Sequence, residues 1–236
     1  MKKITVLAAL LASALMSAQP APGSFEQSWK PGPDWLKNGV IYQVYPSSYK
    51  DSDGNGIGDI RGVISKLDYI ESLGVRAIWF NPLFESGWID GGYDIIDFYK
   101  VDPRFGTNND LVELVEKAHA KGIKVMLDLV AGHTSDKHPW FVQSSEDTNL
   151  QYSDYYIWSD RLPDKKAEAD LKKMLQDPNY MQNTIGKWML SKYPRNKYYC
   201  KNFYACQPSL NYGYANPDPD HPWEQGVNEP GPKAVR

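Results

Sequence analysis

Apolar residues recur along this chain in two alternating rhythms. A short run at 40–45 (Val-Ile-Tyr-Gln-Val-Tyr) has the character of a strand, and a Gly- and Asp-rich stretch follows at 51–59. Ile60, Val63, Ile64, Leu67, Ile70 and Leu73 then fall at helical spacing, which predicts one amphipathic helix with Gly74 as its C′ residue. The cycle repeats. Ala77-Ile78-Trp79-Phe80 predicts a second strand, and a long loop runs to about 105. Thr107-Asn108-Asn109-Asp110 has the form of a capping box, and Leu111, Leu114, Val115 and Ala118 make the face of a second helix that ends at Gly122. Residues 123–130 predict a third strand, apolar except for Lys124 and Asp128. Strand, helix, strand, helix, strand implies parallel strands with right-handed crossovers. Strands apolar on both faces fit a sheet covered on both sides. The architecture is therefore α/β, either a doubly wound sheet or a barrel. The long loops follow the strands, at the end where a β/α barrel carries its site.

After His133 the rhythm breaks. Residues 134 to about 212 are rich in Tyr, Trp, Asn and Pro and show no β/α alternation, so they read as a small irregular insertion after the third strand. Within it the pattern predicts helices at 167–175 and near 183–190, and 233–236 could open another. A full barrel needs about 250 residues before insertions. Three strands and two crossover helices fall short of that, and three parallel strands leave a hydrophobic edge unpaired. A truncated barrel is the expectation.

The ends and the composition narrow the picture. Lys2 and Lys3, the apolar stretch 4–16 and Ser17-Ala18 form a secretory signal peptide over 1–18, with an N-terminal membrane anchor as the alternative. Residues 19–37, rich in Pro and Gly, read as a linker or arm. This points to a secreted or periplasmic protein with no membrane association after cleavage. The chain has 236 residues, 42% hydrophobic, with a net charge of −3; it holds material for a core and no basic field for nucleic acid. Aromatics are abundant, 8 Trp and 16 Tyr, and serve either as core or as sugar-stacking faces. Cys200 and Cys206, six apart, could form a local disulfide or stay as two thiols.

Three segments carry chemistry. In 51–59, Asp51, Asp53, Asn55 and Asp59 supply oxygen side chains at positions one, three, five and nine, Ile57 offers a backbone carbonyl at seven, and Gly56 sits at the sharp turn. That is the opening of an EF-hand-like loop, suited to a structural Ca²⁺. Position twelve is Gly62 instead of Glu, and the flanks are strand and helix, so this is not an EF-hand; a solvated turn is the alternative. The third strand ends Asp128-Leu-Val-Ala-Gly-His133. A charge inside an apolar strand is costly without a partner. Asp128 and His133 are either site residues at a barrel's catalytic face or a satisfied core Asp with a loop His. In the second long loop, Trp88-Ile-Asp90-Gly-Gly-Tyr93-Asp94 could lay a ring against a pyranose with carboxylates beside it, or be an ordinary Asp/Gly loop.

Together, in this order and spacing, these segments resemble the α-amylase superfamily of glycoside hydrolases, with the oligo-1,6-glucosidase and α-glucosidase branch closest. The resemblance spans about 36–215. It is carried by Asn38-Gly-Val-Ile-Tyr-Gln43 and Val44-Tyr-Pro46, the 51–59 loop, 95–99, Val101-Asp-Pro-Arg-Phe-Gly-Thr107, 128–133, Tyr155-Tyr-Ile-Trp158, and Gln207-Pro-Ser-Leu-Asn211. It implies the N-terminal part of a (β/α)8 TIM barrel over 38–133, an inserted domain B over 134–215 and a return segment over 216–236. It implies retaining hydrolysis or transglycosylation of α-glucosidic bonds in starch, maltodextrin or related oligosaccharides. Asp90 and Tyr93 would grip the sugar, and His133 would bond its 6-hydroxyl. Asp128 would support an arginine on a fourth strand, and Asp94 would brace the loop. The nucleophile and the acid/base are expected beyond Arg236, so no carboxylate here takes those roles and this chain alone is expected to hydrolyse nothing. Two positions depart from the family pattern: Gly132 stands where Asn is usual, so a second calcium site is not expected, and Ser209 stands where Asp is usual. The competing readings are a non-catalytic secreted protein binding calcium and carbohydrate, and an unrelated doubly wound enzyme. The Asp and Asn interleaved with the glycines of 51–59 speak against a phosphate-binding turn in the latter.

Overall fold

The computed structural model describes residues 32–146, 148, 150–195 and 197–236. The expected signal peptide and most of the arm lie outside them. Two compact units meet at the Lys37–Asn38 bond. The first contributes one described helix, α1 (Asp34–Lys37), with Lys37 Nζ 2.8 Å from Asp34 Oδ1. Everything below belongs to the second unit. Among the described residues no helix is long and apolar enough to cross a membrane.

Strand β1 (Val40–Val44) is followed by helices α2 (Pro46–Tyr49), α3 (Ile60–Ile64) and α4 (Leu67–Ser72), and then by β2 (Val75–Phe80). A hairpin, β3 (Phe84–Ser86) and β4 (Ile95–Val101), precedes helix α5 (Asn108–Ala120) and strand β5 (Lys124–Leu127). Strands β1, β2 and β5 form a parallel sheet in which Val44, Phe80 and Leu127 share a register. The sheet's inner residues Val44, Ile78 and Phe80 pack with Ile60, Val63, Leu67 and Ile70 of the first crossover and Leu114 and Ala118 of the second. The capping box forms: Thr107 Oγ1 accepts from Asp110 N at 3.2 Å, and Asp110 Oδ2 accepts from Thr107 N at 2.8 Å.

The structure corrects several boundaries. The helix expected over 60–73 is two helices. Ser65 Oγ donates to the Gly62 carbonyl at 2.6 Å and Lys66 N bonds Val63 O, so the turn tightens and restarts. The loop after β2 contains a β-hairpin. The third strand is four residues long, because only its β2 side is paired among the described residues, and Leu129 just past it is 79% exposed. Burial on both faces holds for β2 but not for its neighbours: Val40, Ile41, Met126 and Leu127 are exposed.

The 134–236 part adds α6 (Pro139–Glu146), β6 (Trp158–Ser159), α7 (Lys165–Leu175), a 3₁₀ turn (Tyr180–Gln182), β7 (Trp188–Leu190), β8 (Tyr198–Cys200) and α8 (Pro230–Val235). Helix α7 starts two residues before the expected 167, where Asp164 caps Ala167 N at 2.7 Å. Helix α8 starts at Pro230, three before the expected 233. The helix expected near 183–190 is absent. Asn183 Oδ1 captures Ile185 N at 2.7 Å, Gly186 takes a positive φ, and Trp188 and Met189 pair with Cys200 and Tyr199 of β8. An antiparallel sheet in the order β6-β8-β7 results. Phe141 fills its core, edge-on to Tyr156 and Tyr199 and stacked on Trp158. Cys200 and Cys206 are both free thiols, which sets the disulfide alternative aside; burial pushes the Cys206 thiol far up.

Candidate functional site

The turn after β1 is a cascade of side chains accepting from backbone N–H groups. Asp51 takes Gly54 N and Gly56 N at 2.7 and 2.8 Å, Asp53 takes Asn55 N at 3.0 Å, and Asn55 takes Ile57 N at 2.8 Å. These bonds hold the Asp51 carboxyl below its ordinary range. Asp59 accepts from Gly62 N at 2.6 Å and from Ser52 N at 2.8 Å, so it caps α3 and ties the loop shut. Gly62, at the position where a Glu would complete an EF-hand, has no room for a side chain: a Cβ there would sit 1.9 Å from the Lys50 carbonyl oxygen. Carboxylate oxygens of Asp51, Asp53 and Asp59 lie within 4.8 Å of one another. Two ligands about 2.4 Å from one Ca²⁺ are separated by no more than that span. The all-oxygen donor set and this spacing fit calcium.

The second cluster stands at the C-terminal ends of the parallel strands. Asp128, one residue past β5, accepts from Trp79 Nε1 at 3.0 Å and from the Tyr93 hydroxyl at 2.9 Å. The Tyr93 oxygen accepts in turn from Asn81 Nδ2 at 2.8 Å, and Asn81 Oδ1 accepts from Gln43 Nε2 at 3.1 Å. Polar groups from all three strands thus form one chain. Burial, aided by the bond to Asp128, raises the Tyr93 pKa, so the phenol stays a donor.

The loop that carries Tyr93 is pinned from below. Asp94 is fully buried and accepts from Ile89 N and Asp90 N at 3.1 and 3.2 Å; its burial raises its pKa. Trp88 is the one non-glycine residue with a positive φ among the described residues, and it is held there by its indole N–H on Asp102 at 2.7 Å and by Arg104 over its ring. Asp90 Oδ2 accepts from Gln207 Nε2 at 2.7 Å. His133 is buried, with Nε2 3.0 Å from the Tyr93 carbonyl and Nδ1 3.0 Å from Asn202 Nδ2. Burial lowers its pKa, so the ring is neutral. The Phe203 ring, 58% exposed, stands edge-on to His133 at 6.0 Å.

Asp90, Tyr93, Asp94, Asp128 and His133 are therefore joined in one network, while Asp51, Asp53, Asn55, Ile57 and Asp59 form the separate loop. The pattern along the chain gives no role to Trp79, Asn81, Asn202 or Phe203, and Gln43 and Gln207 enter it only as parts of motifs. A polar residue at the end of an apolar strand was the available signal for Gln43 and Asn81. Nothing local marks Asn202 or Phe203.

The C-terminal ends of the parallel strands and the loops beside them gather carboxylates, a phenol, an imidazole and an exposed aromatic ring. Residues 43–223 match the model of the alpha amylase catalytic domain. The chain belongs to that family of glycosidases. It is 42% identical over 180 residues to the oligo-1,6-glucosidase of Heyndrickxia coagulans, covering 76% of this chain and 31% of that protein. It is likewise 42% identical over 180 residues to a trehalose synthase/amylase of Mycobacterium tuberculosis, covering 76% of this chain and 28% of the other. Among solved structures it superposes on isomaltulose synthase from Klebsiella sp. LX3 with a TM-score of 0.67 and 39% identity, covering 79% of this chain and 32% of that one. The chain spans about a third of the length of the relatives it matches.

Proposed function

We propose that this chain contributes the first three strands of a (β/α)8 barrel and its inserted domain B to a secreted or periplasmic enzyme acting on α-glucosidic bonds of starch, maltodextrin or related oligosaccharides. The observation that carries the proposal is the single network joining Asp90, Tyr93, Asp94, Asp128 and His133 at the C-terminal ends of the parallel strands. Exposed Val40 and Ile41 on β1 and Met126, Leu127 and Leu129 at β5 support flanking of this sheet by further strands. In this reading 38–133 is barrel, 134–215 is domain B and 216–236 is the return segment.

The sugar would lie over the loop of Asp90 and Tyr93. Asp90, oriented by Gln207, accepts from sugar hydroxyls. Tyr93 presents a ring whose tilt is set by Asp128 and Asn81. His133 donates from Nε2 to the 6-hydroxyl in place of the Tyr93 carbonyl. Asp128 supports an arginine, and Asp94 braces the loop. A retaining reaction requires a carboxylate that attacks the anomeric carbon and an acid that protonates the leaving oxygen. Neither role is assigned to a residue of this chain, which alone releases no glucose. Ca²⁺ would be held by Asp51, Asp53, Asn55, Asp59 and the Ile57 carbonyl, where it stiffens the β1–α3 loop. Residues 1–18 would be removed on export, which N-terminal sequencing of the mature protein checks.

The test is hydrolysis of p-nitrophenyl α-glucoside by the intact protein, the complete enzyme to which this chain contributes, with Asp90→Asn and Tyr93→Phe beside it. Both variants should lower kcat/KM by at least about tenfold, the cost of one lost charge-assisted or buried hydrogen bond. No turnover by the intact protein, or full activity in Asp90→Asn, would overturn the reading.

A further inference from the structure

The hydrogen bonds around His133 leave its ring one arrangement. The atom 3.0 Å from Nε2 is the Tyr93 carbonyl oxygen, which can only accept. Nε2 therefore carries the proton. The ring is 3% exposed and neutral, so Nδ1 holds a lone pair and must accept. Of the two ends of the Asn202 amide, only the NH2 end satisfies it, and Nδ2 lies 3.0 Å away. We propose that Asn202 is a positioning residue that holds His133 in the Nε2–H form by donating its side-chain amide to Nδ1.

The surroundings are built for this contact. Asn202 lies on the turn after β8, whose shape is fixed by Asn202 N on Gln207 O at 2.9 Å, Gln207 N on Tyr204 O at 3.0 Å, and Tyr204 N on Gln207 Oε1 at 2.9 Å. Lys201 adds a strut from below, its amine 2.7 Å from the Phe203 carbonyl. Gly132 leaves the space: a Cβ at that position would lie 3.0 Å from Asn202 Nδ2, closer than packing tolerates without the amide giving way. One turn therefore orients two groups of the site, Asp90 through Gln207 and His133 through Asn202. The carboxylates facing the ring are Asp90 and Asp94, and both favour its protonated form. An amide at Nδ1, unlike a third carboxylate, adds no further pull on a second proton.

The tautomer lock rests on the two contacts of the ring and on its burial; its consequence for sugar binding rests on the function proposed above. It is tested by ¹⁵N NMR of the histidine-labelled intact protein, with His119 on α5 as a control for folding. Wild-type His133 should show one set of signals, Nε2 protonated and Nδ1 bare. Asn202→Asp puts an acceptor on each side of the ring, so only the imidazolium satisfies both, and the His133 pKa should rise by about one to three units. Asn202→Leu should keep the ring neutral and broaden its signals, since Nδ1 loses its partner. A protonated Nδ1 in the wild type, or an unchanged His133 pKa in Asn202→Asp with His119 undisturbed, overturns the proposal. A maltose titration of the same proteins separates the two readings. Affinity about tenfold weaker in Asn202→Leu, where Nδ1 loses its partner and the Nε2 proton is no longer held, supports both. The lock with unchanged affinity supports the lock and overturns sugar binding by His133.

Discussion

Lys201 is 1% exposed, yet among the described residues no carboxylate pairs with it. Its amine donates to the Phe203 and Asn183 carbonyls at 2.7 and 3.2 Å, and desolvation outweighs those contacts, so its pKa falls from 10.5 to about 8. Below pH 8 the amine is charged in both folded and unfolded chains, and burying that charge costs about 3 kcal/mol. Above pH 8 the folded chain releases the proton while the unfolded chain keeps it to 10.5. The unfolded state then binds more protons, and stability rises with pH through that window. About 2 kcal/mol should be recovered between about pH 7 and pH 9.5. The assay is urea unfolding followed by tryptophan fluorescence across that range, for the intact protein and for Lys201→Met. Met removes the charge but strands two carbonyls, at about 1–3 kcal/mol each, so the two proteins should be similar in stability at neutral pH. The slope is the diagnostic. Raised thiol pKa values at Cys200 and Cys206 pull the other way above pH 9, and the Lys201 charge itself lowers the Cys200 value, so the difference between the proteins is read chiefly below pH 9. A wild-type-minus-variant difference that is flat from about pH 7 to 9.5 would refute the buried, charged amine.

Three further outcomes are expected. Gly62→Ala drives a methyl against the Lys50 carbonyl and should lower stability by about 1–3 kcal/mol in the same unfolding assay, whereas an unchanged midpoint would mean the 46–50 segment moves freely. Adding Ca²⁺ at about one hundred times its Kd should stabilise the intact protein by about 2.7 kcal/mol, and Asp53→Ala should abolish the response; a calcium-independent Tm in the wild type removes the metal site. His138, packed on Trp140 at 4.7 Å, has its pKa lowered by burial from 6.5 to about 4. The unfolded chain binds its proton first as pH falls, so stability should drop by about 3 kcal/mol between those values, and His138→Phe should flatten that acid limb.

What could be read from the chain before folding was mostly local. The capping box at Thr107, the oxygen ladder of 51–59 and the helical spacing of 108–120 are each set within a few residues, and each formed. The failures share a cause. The helix expected near 183–190 lost to strand pairing with β8, ten residues further on, and the hairpin of β3 and β4 required Glu85 to find Asp97. Ser65 broke the first crossover by a hydroxyl bond to a carbonyl three residues back, which spacing of apolar residues cannot reveal. Asp90, Tyr93, Asp94, Asp128 and His133 were identified as residue types, but their partners were not. Gln207 reaches Asp90 across 117 positions and Asn202 reaches His133 across 69.

The departure of Gly132 from the family pattern takes on a meaning in that light. Read along the chain, it is a missing side chain. In the folded protein it is the space through which a distant turn delivers an amide to the neighbouring imidazole. The loops that follow the sheet's second and third strands supply the acceptors, Asp90 and the His133 ring, and the 201–207 turn supplies the donors that orient them. Burial makes this division necessary. An acid or imidazole withdrawn from water keeps a defined proton and a defined angle only when a neutral donor or acceptor meets each of its polar atoms. Changes to the turn should therefore alter the protonation and orientation of the site while leaving the parallel sheet intact.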